Sequence, residues 1–333
     1  MTRATAVDGL LVQWGDRLFY PGNRVVTAQA LPRVVGSTAA RAQDMRRRIH
    51  ATVARRAPQV MVKVTGGGRG MGAIAAHFRY ISKSGRLTFH DDRGLEHEGK
   101  DAVRDLADRW RYGGSLIGEV SHRREAFNLM LSMPQGTDPQ ALKGAAQEFA
   151  RIELAGHRWV MVLHEHQANP HVHLSVRAEG MSGQRLNPRK QDLQRWRDTF
   201  AERLRDRGVE AESTRQFARG VDWNPSPLWR LKAQEEGRLR NQHRGVKANK
   251  TNEIGRRQAL EAWSHLVSAL EQSMLPGDRE LAASIRQFVT TAAYVKDVVD
   301  GRGLERNGDS EMRLRPASRQ IAEPRRSRPE IER

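Results

Sequence analysis

The sequence predicts a mixed α/β domain between about residues 58 and 210, carried between two basic flanks. Three observations lead there. Short strand-like runs alternate with longer stretches of helical spacing in the order β–α–β–α–β–α–β–β–α. The last two strand-like runs are joined by a connection too short for a parallel crossover, which argues for antiparallel pairing. Outside these limits, in 1–57 and 221–333, the pattern thins and the composition turns basic.

The elements follow in chain order. Residues 1–57 hold one short apolar piece, Leu10–Trp14, and then "RAQDMRRRIHATVARRAPQ", and are expected to be a weakly structured extension. From Val60 the pattern tightens: "VMVKVT" is a strand, "GGGRGMG" a flexible turn, and "AIAAHFRYISKSG" a helix with Ile74, Phe78 and Ile81 on one stripe. "RLTFHDDRGLEHEG" reads as a short hairpin and "DAVRDLADRWRYGG" as a helix ended by glycines. "REAFNLMLSMP" is a strand. In "TDPQALKGAAQEFARIEL" Asp138 caps a helix and Pro139 takes its first position, where a missing N–H costs nothing. "HRWVMVLHEH" and "PHVHLSVRAEG" form a strand pair around Gln167–Pro170, and "NPRKQDLQRWRDTFAERLRDRG" is a long helix opening at Asn187 and Pro188. Past Gly220 two helices are expected near 255–273 and 278–299, and then a disordered basic tail.

Bulk properties narrow the function. The 333 residues carry 57 Lys and Arg against 39 Asp and Glu, a net charge of +18 spread along the whole chain. Such a field attracts polyanions, nucleic acid first and an anionic membrane surface second. There is no cysteine, which excludes disulfides, thiolate metal sites and cysteine nucleophiles. No apolar run approaches the length of a membrane span and no signal-peptide core is visible, so a cytoplasmic protein is expected.

The chemistry concentrates in "HEHQANPHVHLSV", residues 164–176, where four of the chain's 12 histidines fall. On a strand, His171 and His173 point to one face while Val172, Leu174 and Val176 point to the other. Adjacent strands lie about 5 Å apart, so His164 on the partner strand reaches the same patch. A single histidine in such a place is most often a satisfied core residue. Three imidazoles spaced H-x6-H-x-H across one hairpin instead point to a metal site with coordination positions left open for substrate.

These residues resemble the third motif of relaxases, the DNA-nicking mobilisation nucleases of conjugative plasmids within the HUH endonuclease superfamily. The branch with MobA-type relaxases and the Ti-plasmid border endonuclease reads H-x-D-x-x-x-P-H-x-H there, matched by His164, Pro170, His171 and His173. His166 departs from it, standing where the family often has an acid. The resemblance covers roughly residues 60–215. It implies an α/β (α+β) fold with a central, mostly antiparallel sheet covered by helices, over a domain drawn at 58–220 between a basic N-terminal extension (1–57) and a basic, partly helical C-terminal region (221–333). It further implies a divalent ion, Mg²⁺ or Mn²⁺, on His164, His171 and His173, and a tyrosine nucleophile. "AHFRYISKSG" resembles the setting of that tyrosine and makes it Tyr80; of the remaining Tyr20, Tyr112 and Tyr294, Tyr112 in "RWRYGG" is second.

The activity so implied is a site- and strand-specific nick at an origin of transfer through a 5′-phosphotyrosine. The partners implied are that DNA, accessory relaxosome proteins and a type IV secretion coupling protein, and the protein itself is expected to be exported with the strand. Basic residues near the motifs, Arg69, Arg79, Lys83, Arg177, Arg189 and Lys190, are expected to contact DNA. Glu125, Glu165, His166, Asp91 or Asp92 is expected to orient a ligand from outside. A rolling-circle replication initiator and a non-catalytic basic DNA-binding accessory protein share much of this pattern.

The glycine turn offers a rival. Gly68, Gly70 and Ala73 fit a loose G-x-G-x-x-A between strand and helix, with Asp91 further on, as in a dinucleotide-binding fingerprint. No second parallel half follows, and no lysine–serine or lysine–threonine ending makes a P-loop. The glycines are expected instead to let backbone amides approach a DNA phosphate.

Overall fold

The computed structural model describes residues 3–20, 36–167, 169–214, 216–219, 237–238 and 250–291. The expected basic tail, the end of the last helix and Tyr294 lie outside these residues.

Six strands form one open sheet: β1 (Met61–Gly66), β2 (Phe89–Asp91), β3 (Glu96–His97), β4 (Ala126–Ser132), β5 (Trp159–His164) and β6 (His171–Arg177). Their order is β1-β4-β6-β5-β2-β3, and every neighbouring pair is antiparallel. This topology excludes the parallel βαβ unit a dinucleotide fingerprint needs.

Alternation along the strands gives the sheet two faces. Leu129, Leu131, Val172, Leu174 and Val176 point to one, under α5 (Pro139–Glu153) and α6 (Lys190–Arg205), where Phe149, Trp196 and Phe200 are fully buried. Each such side chain contributes about 1.5–3 kcal/mol by leaving water. Phe89, Val160 and Val162 point to the other face, under α3 (Met71–Ile81) and α4 (Lys100–Tyr112). The stripe Ile74–Phe78–Ile81 lies against it, and Phe78 meets Trp110 of α4 edge to face at 4.9 Å. Asp138 caps α5 by accepting from the amides of Gln140 and Ala141. The opening of α6 falls later than Asn187–Pro188: the Arg189 N–H donates to the Asp192 carboxylate at 2.8 Å, which makes Arg189 the cap.

The N-terminal segment departs from the weakly structured extension expected of it. Residues Arg3–Phe19 and Thr38–Val53 form helices α1 and α2, which pack with α7 (Lys250–Glu271) and α8 (Asp278–Thr291) around a separate core. Leu11, Leu18, Met45, Ile49, Trp263, Leu266 and Ile285 are buried in it. Two halves of one apolar core are therefore supplied from opposite ends of the chain, and neither local pattern announces its partner. Arg48 joins this bundle to the sheet domain, reaching the Tyr20 hydroxyl, Asp198 at 3.1 Å and Ser213 Oγ at 2.7 Å. No described helix is long and apolar enough to cross a membrane.

Trp263 lies at the centre of the helical core and donates its indole N–H to the Ala218 carbonyl at 3.0 Å. Trp263→Ala is expected to cost about 3–5 kcal/mol through the cavity and the orphaned carbonyl. Urea unfolding checks this, and a loss under 1 kcal/mol would mean the bundle contributes little to stability.

Candidate active site

Strand register collects the histidines. His164, the last residue of β5, pairs with His171, the first of β6, and His173 stands two residues along the same face opposite Val162. Ring centroids are 4.6 Å apart for His164 and His173, 5.0 Å for His171 and His173, and 5.1 Å for His164 and His171. One ring nitrogen from each lies within 4.8 Å of the other two.

Backbone carbonyls orient two of the rings. His164 Nε2 is 2.7 Å from the Ile81 carbonyl, and His171 Nδ1 is 3.0 Å from the Asn169 carbonyl. A nitrogen facing a carbonyl must donate, so each neutral ring keeps its other nitrogen bare, the state a metal ligand requires. The loop between the strands is itself fixed: the Pro170 carbonyl accepts from Met133 N at 3.3 Å and Ser132 Oγ at 3.1 Å, and Asn169 Oδ1 accepts from Gln135 N at 3.0 Å. These contacts involve the "NP" that precedes the strand of His171 and His173. His173 Nδ1 is buried with no hydrogen-bond partner among the described residues. Three neutral imidazoles converging with free nitrogens fit a divalent transition ion.

The electrostatics favour the neutral form. Burial, reinforced by the neighbouring imidazoles, pushes His173 down to about 3. Burial also lowers His164, against the hydrogen bond its Nε2 donates to the Ile81 carbonyl, and lowers His77. The unfolded chain protonates these rings near pH 6.5 while the folded chain holds them neutral. Metal-free protein is therefore expected to lose stability as pH falls from about 6.5 towards about 3, because the unfolded state binds more protons. Urea midpoints at pH 7 and pH 5 measure this, and His173→Asn should flatten the dependence. An unchanged slope in that variant would show that His173 is not held neutral by the fold.

Helix α3 carries Tyr80 to this place. It starts beside Ala126, at the far end of the sheet, and runs back along the face to the histidines. There Ser82 ends it, with Oγ donating to the Phe78 carbonyl at 2.7 Å and accepting from Gly85 N at 3.0 Å. Lys83, Ser84 and Gly85 all have positive φ, a sharp reversal that leaves Lys83 exposed beside His164. Tyr80 is 69% exposed, and its ring lies 6.3 Å from that of His173. Tyr112 stands at the opposite end of the sheet, where the chain runs on to Gly113 and Gly114 beside Arg177. Tyr20 is buried against Arg48, and burial pushes its phenol up to about 12.

The other expected site residues divide. Arg79 and Lys83 are exposed next to Tyr80, whereas Arg69, Arg189 and Lys190 are exposed at the far end of the sheet. A seven-residue strand separates the two ends by about 20 Å. Arg177, expected to contact DNA, is instead buried and donates to the Trp110, Gly113 and Ser115 carbonyls, fastening the end of α4 to β6. Glu125 is engaged by Ser121, Arg123 and Arg185 at that same far end, and Asp91 by Arg93, His97 and Leu95 N opposite Val160. The Asp92 N–H is spent on the Trp159 carbonyl, a full strand away from His164. None of the three acids stands beside the histidines. Glu165 and His166 are exposed on the loop, with the His166 ring 5.1 Å from that of His164.

The glycine turn also differs from expectation. The amides of Gly68, Met71 and Gly72 donate to the chain's own carbonyls of Ala126, Gly118 and Glu119, and a Cβ on Gly67 or Gly70 would collide with backbone. Gly70 has φ +104. These glycines permit close packing at the far end of the sheet, and three of the turn's amides are engaged by the chain's own carbonyls. One residue was missed: His77, one turn before Tyr80, lies 6.2 Å from the Tyr80 ring and 6.5 Å from His173, with Nε2 buried and unpartnered among the described residues. Its signal was the three-residue helical spacing from Tyr80, which puts both on one face.

Residues 87–209 match the family model described as Relaxase: MobA/VirD2-like, nuclease domain. The match takes in the three histidines, starts after Tyr80 and covers somewhat more than a third of the chain. No curated protein matches it.

Proposed function

Because the chain carries the nuclease domain of the MobA/VirD2-like relaxases, which act on DNA as mobilisation nucleases, we propose that it nicks one strand at an origin of transfer through Tyr80. One observation carries the reading: an exposed tyrosine at the last turn of α3 with its ring 6.3 Å from His173 of a histidine triad.

In this reaction the Tyr80 phenol oxygen attacks the scissile phosphorus in line. The new bond to Tyr80 forms as the bond to the 3′-oxygen breaks, tyrosine loses its proton, and the departing 3′-oxygen gains one. One phosphodiester is exchanged for another, so no nucleotide is hydrolysed and the joining reaction stays available. His164, His171 and His173 would hold a divalent ion, which when bound would supply Lewis-acid screening of the charge that grows on the phosphate. Three imidazoles suit Mn²⁺ or a later metal by ligand type, with cellular Mg²⁺ the abundant competitor. The Ile81 and Asn169 carbonyls keep the rings aimed. Arg79 and Lys83 are exposed next to Tyr80 and bring positive charge to where negative charge develops on the attacking oxygen.

The substrate in this reading is origin DNA, single-stranded at the nick, and the partners are accessory relaxosome proteins and a secretion coupling protein. It places the protein in the cytoplasm until export with the strand. A labelled oligonucleotide spanning the nick should leave a protein–DNA adduct that survives boiling in detergent, and peptide mapping should find the label on "YISK". Nicking without any covalent species would make this a hydrolytic metal nuclease.

A further inference from the structure

The antiparallel register carries the histidine positions outward across the sheet. Met61, Ser132, His171 and His164 form one transverse row over β1, β4, β6 and β5, and Lys63, Met130, His173 and Val162 form the next. All eight side chains share one face by strand alternation. At the β5 end this face lies under α3 and α4. Towards β1 it opens: Met61 is 48% exposed, Lys63 is exposed, and Met130 is only partly covered. The helix packed on β1 is α6, whose core residues lie on the opposite face.

The wall of this strip is the exposed side of α3. Ala73, Ala76, His77 and Tyr80 share one helical stripe, and His77 and Tyr80 show by their ring contacts that it looks towards His173. The two alanines keep the strip unfilled. The result is a shallow open track whose floor is thioether and methylene, whose outer edge is a lysine, and which begins at the triad. Lys63 stands two strand spacings, about 10 Å, from His173, within reach of phosphates next to one held at the triad. An apolar floor with a cation at its margin suits a single strand, whose bases lie on the floor while its phosphates face the charge.

Building on the nicking reading above, we infer that the strand leaving the scissile phosphate crosses the sheet over Met130 and exits at the β1 edge. Lys63 holds a neighbouring phosphate there, and Met61 lies under a base or sugar. Lys63 is a binding residue in this scheme and takes no part in bond making.

Equilibrium binding of a single-stranded oligonucleotide to the full chain, in chelator so that none is cut, tests the path. Lys63→Ala is expected to weaken binding about three- to tenfold and to reduce the log–log salt slope by about 0.7, the value for one single-strand phosphate contact. Met61→Glu, which sets a like charge against the strand, should weaken it at least as much. Trimming the oligonucleotide close to the scissile phosphate on one side should erase the Lys63 effect, and trimming the other side should preserve it. Unchanged affinity and slope in Lys63→Ala, or an effect that survives both trimmings, overturns the path. The wild-type adduct with Tyr80 is read separately, so failure of the path is distinguishable from failure of the nicking reading.

Discussion

Tyr80→Phe is expected to reduce nicking by about 10³-fold or more while folding and DNA affinity stay nearly unchanged. The substitution keeps the ring beside His77 and His173 and removes only the hydroxyl. Because Tyr80 is 69% exposed, no core contact is lost and the stability change should fall within about 0.5 kcal/mol. The measurement is single-turnover cleavage of an end-labelled oligonucleotide, with circular dichroism and equilibrium binding on the same preparation. The exposure of Tyr112 makes Tyr112→Phe the natural comparison, and it should cleave like wild type, because Tyr112 stands at the other end of the sheet. Residual covalent adduct in Tyr80→Phe, or its loss in Tyr112→Phe, would move the nucleophile.

Removing a ligand should be nearly as damaging. His171→Ala is expected to lower cleavage by about 10²-fold or more, on the scale of losing one group that stabilises transition-state charge. Chelation of wild type should do the same, with Mn²⁺ restoring it. A second reading separates lost ligation from lost fold. Mn²⁺ at 100 times its Kd should stabilise the wild type by about 2.7 kcal/mol and leave His171→Ala unmoved. The Asn169 carbonyl, freed of its partner, faces the loop and can take a water, so the metal-free variant should remain folded. Undiminished nicking in excess chelator would remove the metal from the mechanism.

Both variants rest on residues that were legible in the sequence because their signals are local. The H-x6-H-x-H spacing needs only one hairpin, and the alternation that aims His171 and His173 away from Val172 is a property of any strand. The sheet strands, the Asp138 cap and the Ile74–Phe78–Ile81 stripe were readable for the same reason. What could not be read is what depends on distant pairing. The bundle core joins Leu11 and Met45 to Trp263 and Leu266, more than 200 residues apart, and nothing in either segment names the other as its partner. Arg177 reads as a surface cation until the carbonyls of Trp110, Gly113 and Ser115 are placed around it. Likewise a carboxylate that orients a ring is marked in a sequence by its side-chain type. The groups beside the rings are main-chain carbonyls, which every residue has and no sequence marks.

The hairpin has a further consequence, for the order of folding. His164 and His171 lie across a six-residue loop, residues 165–170, whereas the contact that brings the helix of Tyr80, His164 to the Ile81 carbonyl, spans 83 residues. Short loops close in well under a microsecond, and hairpins form within microseconds, long before entropy allows distant segments to dock. A refolding chain therefore gathers the three histidine rings while Tyr80 is still remote. An ion bound at the three rings would pre-order the face on which α3 docks, where the Ile81 carbonyl accepts from His164 Nε2. Stopped-flow refolding in the presence and absence of Mn²⁺ should show metal uptake preceding recovery of cleavage, with the interval set by the docking of α3.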